Sequence, residues 1–363
     1  MTTAQSPRVA AILGPTASGK TALACAIAAA GCPLEVVGCD ALQLFKGLDA
    51  ATAKPTAAER SAVPHHLVDA VAATERIDAV AYAERADAVI AGIASRGKWP
   101  VLVGGTGLYL RAVVHGLAEI PPIDPELRRQ LGQRFDKLGS AALHAELAAL
   151  DPTYAAATPA ANRQRVLRAL EVALGTGTSF TEHHRRGAAK PARYQSLQVV
   201  LEPPRALHKD RIAARARAMV LPLFAECRTL LQVGVTEDHH ATQAIGYRDA
   251  IRMLRTDTVD RQALGDQLVR AHVRYAKRQR TWFNKLDADL RTVPNKAYQI
   301  DRKVLPFGKA IPYYTAQLKN DQQIEMAYAR LNIVPGKLFD DIIISTFRPT
   351  KGTPPPLRPP SKV

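Results

Sequence analysis

Apolar and polar positions alternate in three different styles along this chain. Near the start, short apolar runs alternate with longer Ala-rich stretches: Val9-Ala10-Ala11-Ile12-Leu13 reads as a buried strand, and residues 22–30 read as a helix. A second strand, Glu35-Val36-Val37-Gly38-Cys39, ends at Asp40, and a helix over 78–95 precedes a third strand at 100–103. Such alternation predicts an α/β fold, a parallel sheet flanked by helices. From Asp124 the spacing turns helical. One helix opens at Pro125-Glu126-Leu127-Arg128, another covers 141–150, and a third covers 162–174 with Val166, Leu167, Leu170 and Leu174 on its apolar side. Gln198-Val199-Val200-Leu201 then returns the chain to the sheet, and helices are expected at about 205–231, 243–254 and 260–284. After about residue 295 the Ala- and Arg-rich style gives way to Tyr, Ile, Lys, Asn and Gln, and the Pro-rich end at 353–360 can form neither helix nor central strand.

The expected organisation is therefore a core of residues 8–118 and 196–294, a mostly helical insertion at 119–195, and an atypical, partly disordered tail at 295–363. The first strand and helix flank Gly14-Pro15-Thr16-Ala17-Ser18-Gly19-Lys20-Thr21, a complete phosphate-binding loop. Loop amides and the helix N-terminus converge on anionic oxygens, Lys20 adds a point charge, and Thr21 can hold Mg²⁺. That context makes the fold P-loop NTPase-like. A nucleotide-hydrolysing enzyme also carries an apolar strand ending in a metal-supporting Asp. Here the strand Val101-Leu102-Val103 runs instead into Gly104-Gly105-Thr106-Gly107, and the apolar run before Asp69 is short. A polyphosphate that departs as a leaving group fits this omission better than a hydrolysed nucleotide.

Composition adds a partner. The net charge of +16 is uneven: residues 1–160 sum to about −1 and residues 161–363 to about +17. One part meets a small phosphorylated ligand and another a polyanion, for which nucleic acid is the expectation. No run is long and apolar enough to span a membrane, no secretory leader is evident, and the four cysteines include no C-x-x-C pair. A cytoplasmic monomer with core thiols is expected.

Asp40 stands just past the second strand, where the C-terminal strand ends of an open α/β sheet line the ligand crevice. Beside a pyrophosphate it reads as a base or a metal-shell ligand; capping of a helix at 41–45 is the competing reading. Gln43 is of a type that reads adenine edges. Thr106 also faces the crevice, or else caps the next helix. His65-His66 are read as structural, since adjacent residues of an extended segment point opposite ways. His183-His184-Arg185-Arg186 read as a polar, RNA-facing turn. Gln164, Arg165 and Arg168 share one helical face, and the run from Arg274 to Phe283 interleaves four cations with three aromatics, the composition that single-stranded RNA binding needs.

Together these segments resemble the tRNA dimethylallyltransferases. The matching pieces, in order, are the phosphate loop, Asp40-Ala41-Leu42-Gln43, Thr52-Ala53-Lys54-Pro55, Val63-Pro64-His65-His66-Leu67-Val68-Asp69 and Val103-Gly104-Gly105-Thr106-Gly107-Leu108-Tyr109. Asp124-Pro125-Glu126-Leu127-Arg128, Asn162-Arg163-Gln164-Arg165-Val166-Leu167-Arg168, Gln243-Ala244-Ile245-Gly246-Tyr247-Arg248 and Lys277-Arg278-Gln279-Arg280-Thr281-Trp282-Phe283 follow. The likeness spans residues 8 to about 290; departures include Ala41 for a usual Ser, Ala50-Ala51 for Ile-Gly, Leu223 for Gly and Asn284 for Arg.

The resemblance implies transfer of a dimethylallyl group from dimethylallyl diphosphate to the exocyclic N6 amine of the adenosine 3′-adjacent to the anticodon. The phosphate loop and Mg²⁺ would hold the diphosphate. Asp40 would accept the amine proton, and Thr106 would help fix the adenine or the diphosphate. Asp40, Ala41, Leu42, Gln43, Thr106, Arg128, the segments Gln164–Arg168, Gln243–Arg248 and Lys277–Phe283, and Asn284 would hold the anticodon stem-loop. The competing functions are a P-loop small-molecule kinase or NTPase, an inactive RNA-binding protein of the same fold, and a transferase acting on free adenine nucleotides. The last would not need the cationic helices.

Overall fold

In a computed structural model of the chain, the described residues are 8–294, except 30, 190, 287 and 289, together with 314–316. The chain forms two compact units, one running to Val114 and resuming at Tyr194, the other comprising His115–Arg193.

In the first unit, β1 (Arg8–Leu13) enters the phosphate loop and then α1 (Lys20–Ala29); β2 (Leu34–Gly38), α2 (Ala57–Ala62), β3 (His65–His66), α3 (Ala79–Ser95), β4 (Trp99–Gly104) and α4 (Gly107–Val114) follow. The second unit holds α5 (Pro125–Leu150), α6 (Pro152–Ala156), α7 (Arg163–Thr176) and α8 (Phe180–Ala188). The first unit resumes with β5 (Gln195–Leu201), α9 (Arg205–Ala218), α10 (Val220–Gln232), α11 (Tyr247–Arg255), α12 (Arg261–Phe283), β6 (Leu290–Pro294) and β7 (Tyr314–Ala316). The sheet order is β3–β2–β4–β1–β5–β6–β7, parallel except for the last pair. β1, β2 and β4 are apolar inside because helices cover both faces, with the buried Glu35 of β2 as the exception. Their core joins Ile12, Val36, Val101 and Val103 to Leu23 and Ile27 of α1.

The consequence for function lies in strand order. β1, β4 and β2 are neighbours, paired up to Leu13↔Gly104 and Gly38↔Val103, so the loops after all three open on one edge. The chain leaves this unit after Val114 and re-enters at Tyr194, whose N–H donates to the Val114 carbonyl at 3.3 Å.

The second unit has its own core of Leu131, Leu143, Leu147, Val166, Leu167 and Leu170. Buried Asp151 knits it by accepting from Tyr154 N, Thr181 N and Thr181 Oγ1 at 2.7–3.0 Å.

Several expected elements differ. The two helices expected at 125 and at 141–150 do not: they are the two arms of α5, parted at Gly139, whose φ of 84° and ψ of 168° are not helical. The helix expected over 205–231 is two, broken at Met219, with Pro222 in the first turn of α10, where a missing N–H costs least. The last stretch expected to start near 243 begins instead with a single 3₁₀ turn, and α11 starts only at Tyr247, after Gly246 at φ 91°. Residues 41–44 are turns, not a helix, and Phe45 is bridged to Val71, because the Gln43 and Leu44 carbonyls accept from the amides of Asp69, Ala70 and Val71 and the Lys46 N–H donates to the Val71 carbonyl. The segment 183–186 is no turn: it lies inside α8. There the buried His183 meets Thr176 Oγ1 and the Glu119 carbonyl, both at 3.1 Å, while Arg185 and Arg186 pair with Glu182 at 2.7 Å. The expectations for the tail after 295 fall outside the described residues, apart from β7.

Candidate active site

The phosphate loop is shaped by its own sequence. Gly14 (φ 145°) passes so close to β5 that a Cβ there would lie 2.7 Å from the Leu201 carbonyl, and Gly19 adopts φ 93°. Ala17 is held left-handed at φ 60°. The Lys20 ammonium folds back over the loop, donating to the Gly14 and Pro15 carbonyls at 3.0 and 2.9 Å. Burial pulls its pKa down to about 8 against the opposing pull of Asp40. The buried Ser18 hydroxyl has no hydrogen-bond partner among the described residues and lies close behind Gly14, where a Cβ would stand 2.9 Å from it.

Asp40 and Thr106 come together at the neighbouring strand ends. The Thr106 N–H donates to the Cys39 carbonyl at 3.2 Å, and Thr106 Oγ1 accepts the Ala41 N–H at 3.1 Å. Thr106 thus staples the two loops while opening α4, its carbonyl accepting the Tyr109 and Leu110 amides at 3.1 and 3.2 Å. Asp40 Oδ1 accepts the Leu42 N–H at 3.0 Å. Burial raises the Asp40 pKa; the Leu42 amide, Lys20, the Gln43 amide and Arg215 oppose that rise in decreasing order. A carboxylate held in this way is a better base than one in water.

Two residues at this site, Arg215 and His208, carried no signal in the sequence, and a third, Tyr275, was expected to meet RNA bases. Arg215 of α9 donates to Thr16 Oγ1 and contributes positive charge near Asp40. Tyr275 of α12 hydrogen-bonds Thr106. His208 lies between Thr16 and Arg280: its Nδ1 accepts from the Arg280 guanidinium at 2.7 Å, so its Nε2 carries the proton and donates to the Thr16 carbonyl at 2.7 Å. Desolvation keeps this imidazole neutral, its pKa pulled down to about 4. Each is an ordinary residue on an amphipathic helix, placed here only by packing.

The Gly-Gly-Thr-Gly segment, a weak motif by itself, gains a reason. A Cβ on Gly104 would meet the Cys39 carbonyl at 1.9 Å, on Gly105 the Gln279 amide at 2.1 Å, and on Gly107 the Trp282 ring at 2.2 Å. Three neighbours press on three small positions within four residues.

Gln43 is half-buried and donates to the Thr52 and Ala53 carbonyls at 3.1 and 2.9 Å. The loop it braces is closed by Lys54, bonded to the Phe45 carbonyl and paired with Asp49 and Asp69, while Arg60 also pairs with Asp69 at 2.8 Å. Asp69 is therefore occupied by two cations and does not serve as a metal-holding Asp. The substituted Ala50 is held through its N–H by Glu226 at 2.8 Å. His65 and His66 serve the main chain and the sheet end: His65 meets the Val63 carbonyl and His66 meets Glu35, both at 2.7 Å.

The expected RNA-facing residues divide by exposure. Gln164, Arg165, Arg128, Gln243, Arg248, Lys277, Arg278, Thr281 and Asn284 are exposed. Val166, Leu167, Ala244, Gly246, Tyr247, Gln279 and Phe283 are buried and pack inside their units, and Ile245 is half-buried. Arg168 pairs at 3.1 Å with buried Glu171, which Arg128 approaches at 3.9 Å. On α12 the exposed Arg274, Lys277, Arg278 and Thr281 share one face at helical spacing. Arg280 instead donates to the Pro203 carbonyl at 2.9 Å. The aromatics expected to stack on bases turn inward, Trp282 over Gly107 and Phe283 into the core.

A family model described as IPP transferase matches residues 43–286. The chain belongs to that family. It is 45% identical over 280 residues to a tRNA dimethylallyltransferase of Anaeromyxobacter sp. (strain K), covering 77% of this chain and 90% of that protein. Against the corresponding protein of Stenotrophomonas maltophilia (strain R551-3) the identity is 41% over 293 residues, covering 78% and 92%. Among solved structures, the tRNA isopentenylpyrophosphate transferase of Bacillus halodurans superposes with a TM-score of 0.57 at 31% identity, covering 90% of this chain and 96% of that one. A eukaryotic dimethylallyltransferase acting on tRNA shares the fold, with a TM-score of 0.67 at 22% identity, covering 96% and 82%. The IPP transferase fold is P-loop NTPase-like, and this chain's sheet order and loop agree with it.

Proposed function

We propose that this enzyme transfers a dimethylallyl group from dimethylallyl diphosphate to the N6 amine of the adenosine 3′-adjacent to the anticodon of tRNA, releasing diphosphate. The observation that carries the reading is the convergence of the phosphate loop, Asp40 and Thr106 on one edge of the sheet, in a chain of the IPP transferase family. The allylic C–O bond breaks with positive charge on carbon and negative charge on the leaving group, so catalysis consists mainly of stabilising diphosphate. Lys20, Arg215 and the α1 N-terminus supply that stabilisation. Thr16 contributes less, since its groups are already bonded within the protein.

Family members that expel diphosphate use a divalent cation, which we assign as Mg²⁺. Among the described residues no cluster of three His, Cys, Asp or Glu side chains exists to cage a metal. That donor set fits Mg²⁺, which is commonly held by one or two protein oxygens and completed by substrate phosphates. Thr21 is the protein oxygen at hand, and the ion would offset charge on the departing diphosphate.

As the N6–C bond forms, the amine becomes acidic, and Asp40 takes its proton. The elevated pKa of Asp40 matches it to that task. The base must leave the anticodon stack to reach the crevice, at a cost met by contacts to the rest of the stem-loop. About +11 of the net charge lies in residues 161–294, and the exposed cations of α7 and α12 are assigned to the RNA backbone. A chain acting on free nucleotides has no use for them.

The deciding experiment follows allylic label from dimethylallyl diphosphate into tRNA in the presence of Mg²⁺. Label is expected in an N6-modified adenosine of the anticodon loop, and ATP is expected to be neither hydrolysed nor required. Robust ATP turnover stimulated by a small acceptor would overturn the reading in favour of a kinase.

A further inference from the structure

The sheet holds β1 and β4 together only as far as Leu13 and Gly104; the two catalytic loops extend beyond that pair. A buried side chain spans the gap. Gln279 of α12 is 6% exposed. Its Oε1 accepts the Thr16 N–H at 2.8 Å, and its Nε2 donates to the Gly105 carbonyl at 3.0 Å. A buried primary amide must satisfy both ends, and here both partners are main-chain groups.

Each anchored peptide is also gripped from elsewhere. The Thr16 carbonyl accepts from His208 at 2.7 Å and its hydroxyl from Arg215, while the N–H after the Gly105 carbonyl, that of Thr106, donates to Cys39 at 3.2 Å. Gly105 leaves space for the strut, since a Cβ there would stand 2.1 Å from Gln279 Nε2.

We infer that Gln279, a member of the segment whose exposed neighbours face RNA, is a positioning residue that fixes the distance between the two loops. The inference rests on the reaction proposed above. One loop holds the leaving diphosphate and the other carries Thr106 beside Asp40, so donor and acceptor are bound by separate pieces of chain. In a displacement the attacking nitrogen, the allylic carbon and the departing oxygen must align, and errors of an ångström between the two loops cost rate and not affinity.

Two variants test it: Gln279→Leu removes both hydrogen bonds, and Gln279→Glu keeps an acceptor for Thr16 while setting an anionic oxygen against the Gly105 carbonyl. Single-turnover transfer at saturating substrates is measured beside affinities for inorganic diphosphate and tRNA and beside the melting midpoint. The expected result is a rate lowered about 10²-fold in both variants, with the two affinities little changed. If Gln279→Leu does not fold, the Gln279→Glu split between rate and diphosphate affinity decides alone. Rate and both affinities falling together with the melting midpoint would overturn the inference, because that is plain loss of structure. An unchanged rate would also overturn it, and with weakened tRNA affinity it would make Gln279 an RNA reader. No transfer by the unaltered chain would sink the reaction itself, whereas an active parent with equally active variants would sink only the role of Gln279.

Discussion

Glu35 and Asp40 bracket the same strand, yet their surroundings drive them in opposite directions. At the entry to β2, the buried Glu35 is paired with Arg96 at 2.6 Å, Lys98 at 2.9 Å and His66 at 2.7 Å. Burial alone would raise its pKa, but these partners overcome that and pull it down to about 2. Just past the other end of β2, no ion pair reaches Asp40 among the described residues; it accepts the Leu42 amide and feels Lys20 and Arg215 nearby, and burial wins. A carboxylate with dedicated partners is a brace with a fixed charge. One that burial leaves under-compensated is poised to take up a proton.

The contrast breaks most visibly at Asp40. Asp40→Asn should lower the single-turnover transfer rate by about 10²–10⁴-fold, the range for a lost general base, with tRNA binding intact. Its stability should hold or rise, because the variant carries no buried charge. An unchanged rate with weaker tRNA affinity would make Asp40 a reader of the RNA. The pH profile sharpens the same point. The parent's rate should fall on acidification as Asp40 takes up a proton, at a pH above the ordinary aspartate value of 3.8, and Asp40→Asn should lack that limb.

Glu35→Gln should do the reverse, leaving transfer unaffected and lowering stability by about 2–3 kcal/mol at neutral pH. The sign follows from the depressed pKa: the contribution is complete above the unfolded value of 4.5 and is lost as pH falls through about 2. Chemical denaturation of parent and variant at pH 7 and pH 3 would check it, and equal midpoints at pH 7 would refute the brace.

The smallest effects belong to the RNA face. Lys277→Ala, Arg278→Ala and Arg165→Ala should each raise KM for tRNA, not for dimethylallyl diphosphate, and reduce the salt slope of tRNA binding by roughly 0.7–0.9. Arg168→Ala should do less to the slope, since its charge is shared with Glu171 at 3.1 Å. Equal damage to both substrates would mean that these side chains hold structure and not RNA.

Some of what was missed was written locally. Thr56-x-x-Glu59 and Ser179-x-x-Glu182 both have the spacing of an N-terminal helix cap, and both open helices that the apolar pattern alone did not predict, α2 and α8. The helices are short and polar, so periodicity had little to register. The expected helix at 41–45 failed for the opposite reason. Its residues have acceptable propensity, but the Gln43 and Leu44 carbonyls, which a helix would have used, are claimed by the amides of Asp69, Ala70 and Val71, far away in sequence.

Periodicity and the loop motif were enough to establish the strands β1, β2 and β4, the phosphate cradle between β1 and α1, and the positions of Asp40 and Thr106 at strand ends. Those features depend on neighbours within a few residues, where hydrophobic spacing and glycine geometry act directly. Which of the later side chains face the crevice was decided only by tertiary packing. Arg215, His208, Tyr275 and Gln279 lie on helices whose sequence gives a face but not a partner. They reach Thr16, Thr106 and Gly105 because α9 and α12 pack beside the strand ends, and because a buried amide, imidazole or guanidinium must find a hydrogen-bond partner wherever the fold puts it.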